Sequence, residues 1–123
     1  MRKDIMDYIC SLHGYLIRLK EIHWNTSSNA EHLLCDEVSG SISECEDEFT
    51  ETAMGLFSEK VKVGDLKPLL PNAEELKPML KELIGETVAM KNKLNRDVDA
   101  GLCNILDDII ASAQKYMYRS TQK

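Results

Sequence analysis

Apolar residues recur at alternating intervals of four and three along four stretches of this sequence, and no stretch alternates singly as a half-buried strand would. That spacing is the period of a helix with one packed face, so it confines the chain to helices laid against helices. The first stretch, residues 3–25, presents Ile5, Ile9, Leu12, Leu16 and Leu19. The second, residues 30–57, presents Leu34, Val38, Ile42, Cys45, Phe49, Ala53 and Leu56. The third opens after Asn72 and runs to about residue 94 through Leu76, Leu80, Leu83 and Met90. The fourth, residues 100–118, turns Leu102, Ile105, Leu106, Ile109, Ile110, Ala113 and Met117 inward.

The breaks between these stretches carry their own chemistry. In "NTSSN" the side-chain oxygen of Ser27, Ser28 or Asn29 can accept the orphan N–H groups of the next helix. Asn72 with Glu75 three residues later has the form of a capping box, and Pro78 predicts a kink or a late start. Four amphipathic helices make a four-helix bundle. The short first and last links join antiparallel neighbours. The middle connector, "SEKVKVGDLKPLLP", has 14 residues with Gly64, Pro68 and Pro71. Extended, it reaches roughly 45 Å, about the length of a 28-residue helix. The predicted fold is therefore all-α, one domain over residues 1–123, with a long crossover between the second and third helices. That is the connectivity of ferritin-like bundles, with an up-down-up-down bundle as the alternative.

Composition narrows the function. The chain has 123 residues, enough for a core without staples, and no apolar run approaches the length of a membrane span. Asp4 and Asp7 fall where a signal peptide would be apolar, so a cytoplasmic location is expected. Cys10, Cys35, Cys45 and Cys103 form no C-x-x-C pair and read as small buried hydrophobes. A formal charge of −6 argues against nucleic acid and suits cations.

The second helix holds the most informative pattern. On a helical wheel His32, Asp36, Asp47 and Glu51 cluster on the side opposite its apolar stripe. The bland reading is a solvated polar face. Against it, no lysine or arginine lies between His32 and Ser58, so nothing offsets the carboxylate repulsion. Gly40, Ser43 and Gly55 share the face, and glycine in an exposed helix costs about 1 kcal/mol relative to alanine, which predicts something packed close. The first helix also carries Met6, Tyr8, Cys10, Tyr15, Ile17 and Ile22 outside its main stripe, more than one bundle core can bury. A second subunit is the expected cover. Imidazole and carboxylate ligands at such an interface suit Fe, Mn or Zn. His23 continues the apolar stripe after Leu19, where a lone histidine is more often a hydrogen-bonded core residue than a ligand, while His13 reads as structural.

His23-Trp24, His32-x-x-x-Asp36 and Asp47-x-x-x-Glu51 together resemble the Dps proteins, the miniferritins of the ferritin-like superfamily. The likeness is clear over residues 16–51 and loose beyond. It implies an iron-binding ferroxidase centre between two subunits, with His23, His32 and Asp36 from one chain, Asp47 and Glu51 from the other, and Trp24 close by. It also implies a homo-oligomer, with the dimer as minimal unit and a dodecameric shell as the family's usual form. Zinc or manganese are candidate substitutes for iron. The chain departs from the family in three ways. Nine residues take His23 to His32, fewer than usual. The connector has no room for the family's small extra helix. Only Arg2 and Lys3 precede the first helix, so the basic tail used on DNA is lacking. The expected function is Fe(II) oxidation with peroxide or O₂ and storage of ferric iron. A structural or metal-binding bundle without that activity is the competing reading.

Overall fold

A computed structural model describes residues 1–122. Four helices carry the chain: α1 (Lys3–Asn25), α2 (Asn29–Phe57), α3 (Leu76–Asn92) and α4 (Ala100–Ser120), with no strand among the described residues. Ser28 is the residue that caps α2, its side chain accepting the Glu31 N–H at 3.2 Å. The capping box expected at Asn72 does not form. Glu82 instead reaches back from α3 and accepts the N–H groups of Asn72 and Ala73 at 2.9 Å each. With that carboxylate holding residues 72–73, the helix begins only at Leu76. Pro78 then sits in its first turn, where a missing N–H costs nothing. Before α4, the Asn95 side chain accepts the Asp97 and Val98 N–H groups at 2.8 and 3.0 Å, a side-chain turn that ends the preceding helix.

The helices pack as α1 on α2, α3 on α4, α2 on α4 and α1 on α3. Contacts along them give the directions. Arg2 donates to the Lys93 carbonyl and Arg18 to the Ala73 carbonyl, at opposite ends of α3, so α1 and α3 are antiparallel. Arg119 pairs with Glu37, and Gly101 lies against Thr52, so α2 and α4 are antiparallel too. α2 and α3 therefore lie on a diagonal and run the same way. The connector between them must travel the length of the bundle, and it does so as a strap along α1. Residues 60–62 border Lys3 and Met6. A turn at residues 62–65 has Gly64 at φ 95°, in the left-handed region that favours glycine. The Leu69 N–H then bonds the Cys10 carbonyl at 3.1 Å. No helix forms in the strap.

The core runs through Ile5, Ile9, Leu12, Leu19, Phe49, Leu80, Leu83, Leu102 and Leu106. Each such side chain, fully buried, stabilises the fold by about 1.5–3 kcal/mol. Leu16, Cys45, Ile105, Ile110 and Met117 are only partly buried and Leu56 is exposed, while Cys103 is buried as expected and Tyr116 joins the core unpredicted. Most of the apolar surplus of α1 is buried within the chain itself, while Met6 is half-buried and Ile17 stays exposed. Tyr8 and Tyr15 turn to α3, where their hydroxyls bond Thr87 at 2.7 Å and Glu86 at 2.8 Å. Cys10 is covered by the strap, its thiol facing the Asp65 carbonyl. Burial keeps both tyrosine hydroxyls protonated far above their ordinary range. Cys10, Cys35 and Cys103 are buried and all four thiols are free. Burial pushes the Cys35 thiol up to about 11.

Candidate functional site

The hairpin between α1 and α2 is closed by its two histidines. His23 lies in the last turn of α1, where carbonyls lack helical partners, and His32 lies just inside α2. Each ring serves the other's backbone: His23 Nδ1 bonds the His32 carbonyl and His32 Nδ1 bonds the His23 carbonyl, both at 2.9 Å. A carbonyl oxygen only accepts, so both Nδ1 atoms carry hydrogen. In the neutral rings both Nε2 atoms therefore keep a lone pair, the state in which imidazole ligates metals. The rings stack with centroids 3.7 Å apart and planes 20° from parallel. An imidazole binds a metal near its own ring plane. Two nearly parallel planes at this spacing aim their lone pairs at separate positions rather than at one ion.

Asp36 stands beside the pair, its Oδ1 3.4 Å from His23 Nδ1 and its side chain 69% exposed. Trp24, the only tryptophan, is 70% exposed next to His23, with the Lys20 ammonium 5.8 Å from its ring centre. Thus His23, His32, Asp36 and Trp24 are brought together at one end of the α1–α2 hairpin. Asp47 and Glu51 are not. They are exposed on the same helix, with Asp47 eleven residues beyond Asp36, or about 16 Å along the axis. Among the described residues no three His, Cys, Asp or Glu side chains stand close enough to hold an ion. A Cβ added at Gly40 or Gly55 would meet nothing within 4 Å, so no other part of the chain packs there and the face is open.

His13, expected to be structural, has an acidic partner that sequence proximity does not reveal. Glu46 of α2 receives its Nδ1 hydrogen, with oxygens at 3.1 and 3.2 Å. Burial raises the Glu46 carboxyl above its usual range, and the charge and hydrogen bond of His13 pull the other way. The signal that could have found this pair is its register. In an antiparallel hairpin closed by residues 23 and 32, a residue ten before the first falls near one some ten to fourteen after the second.

None of the four helices is long and apolar enough to cross a membrane. Comparison with curated proteins and with solved structures finds no match. Residues 23–119 match the model of a family of unknown function, DUF5856, and that span takes in both histidines of the hairpin tip and all three carboxylates of the outer face. By that match the chain is a member of the DUF5856 family.

Proposed function

We propose that this chain is a ferritin-like protein of the Dps type, which binds Fe(II) where two copies meet and oxidises it with peroxide or O₂. The observation that carries this reading is the hairpin tip. Two histidines donate their Nδ1 hydrogens to carbonyls, which makes Nε2 the ligating atom of each ring in its neutral form, and the exposed Asp36 carboxylate stands beside them. The crossover strap supports it, because a parallel diagonal pair joined by one long connection is ferritin-like connectivity. Imidazole nitrogen and carboxylate oxygen suit iron in both oxidation states. Two Fe(II) ions would each release one electron, and one peroxide with two protons would become two waters.

Under this reading Asp47 and Glu51 of a second copy complete the ligand set. Anaerobic protein mixed with Fe(II) and then peroxide should develop ferric absorbance faster than a buffer blank, while Asp47→Ala/Glu51→Ala should be slower. Equal rates for the two proteins would end the ferroxidase proposal. A second reading, a bundle without this chemistry, is favoured by the lack of any three-donor cluster within the single chain. Light scattering separates the two: a lasting monomer in the presence of iron leaves the site incomplete and supports the second.

A further inference from the structure

A single chain holds only parts of a donor set, and it displays them on a face that repels its own copy. His23, His32 and Asp36 gather at the hairpin tip, while Asp47 and Glu51 stand about 16 Å farther along α2. From Asn29 to Phe57 that helix carries eight carboxylates and no lysine or arginine. Glu37 is matched by Arg119 and Glu46 by His13, but Asp47 and Glu51 are exposed and join no ion pair among the described residues. The same face is smooth, with open space at Gly40 and Gly55 that would let a second helix come close. At the hairpin tip it has apolar area to cover, since Trp24 is 70% and Leu33 57% exposed.

We propose that pairing of two copies through α2 is gated by a divalent cation. Without it, facing carboxylates keep the copies apart. With it, cations held at the separate Nε2 positions of His23 and His32 and by Asp36 of one copy also take Asp47 and Glu51 of the other, and Trp24 and Leu33 are covered. This rests on the interface reading above and adds a regulatory role: the cation is the switch for assembly as well as the cargo. Because a site that is complete only in the pair binds its ion only there, ion affinity and pairing must strengthen each other by the same factor.

The test uses zinc, which has no redox chemistry, so that assembly is read apart from iron oxidation. Sedimentation of the full chain in chelator should give the monomer mass. Adding Zn(II) should double it, with the dimer dissociation constant falling about tenfold or more, and should shift Trp24 emission to the blue. Asp47→Asn/Glu51→Gln removes both ligands and repulsion from an exposed face. That variant should self-associate more readily than wild type in chelator and should no longer respond to zinc. An unchanged wild-type mass with zinc, pairing that is equal with and without it, or a zinc response undiminished in the variant would overturn the proposal. A chain that ignores zinc yet oxidises iron sinks only the gating. One that pairs on zinc yet leaves Fe(II) untouched by peroxide sinks only the ferroxidase reading.

Discussion

A Cβ placed on Gly14 would stand 1.9 Å from the Leu69 carbonyl oxygen, backbone that cannot swing aside as a side-chain tip can. The helix surface there is bare because the strap's main chain lies on it. Gly14→Ala should therefore lift the strap and destabilise the fold by about 1–3 kcal/mol in urea unfolding. Gly85 is the control: it lies within α3 with nothing within 4 Å, so alanine there should stabilise by about 0.5–1 kcal/mol. At this scale the sequence was only partly legible. His23, His32 and Asp36 could be grouped because they sit within fourteen residues across one turn. The partner of His13 could not, because Glu46 is 33 positions away and only the hairpin register brings it near.

The helices themselves were readable because their causes are local: a three-and-four spacing of apolar residues, Ser28 at a cap, Pro78 in a first turn. The strap was readable only as length. What fixes it are contacts between distant segments, and the most specific is the Glu82 carboxylate that accepts two backbone N–H groups where the strap ends. Glu82→Ala leaves both donors to water and should cost about 0.5–1.5 kcal/mol. Hydrogen exchange should quicken at residues 69–75 more than in α2 or α4. Equal acceleration everywhere would mean that Glu82 stabilises the bundle as a whole and does not act as a latch. The apolar excess of α1 is overstated in the sequence for the same reason. Its extra apolar side chains looked like an interface because the sequence does not say that Cys10 lies beneath a returning strap.

For the whole molecule the dominant imbalance is electrical. The net charge is −6, yet one helix holds eight carboxylates and no lysine or arginine, so the negative charge is concentrated on one edge. Self-repulsion of this kind weakens the folded state and is screened by salt. In chelator, raising NaCl from low to half-molar should increase the melting temperature by about 2–5 °C, with a smaller gain in Asp47→Asn/Glu51→Gln. The strap has a further consequence, for the order of synthesis. A chain leaves the ribosome N-terminal end first. Here α1 and α2 emerge first and share their core faces, and the next segment made is the one that lies back over Cys10 and Gly14. Glu82, which holds the strap's far end, is made only later, so the strap settles fully on the unfinished hairpin once α3 arrives. Until then the surface around Cys10 and Gly14, as well as the faces awaiting the second hairpin, stays open to wrong partners while translation runs on.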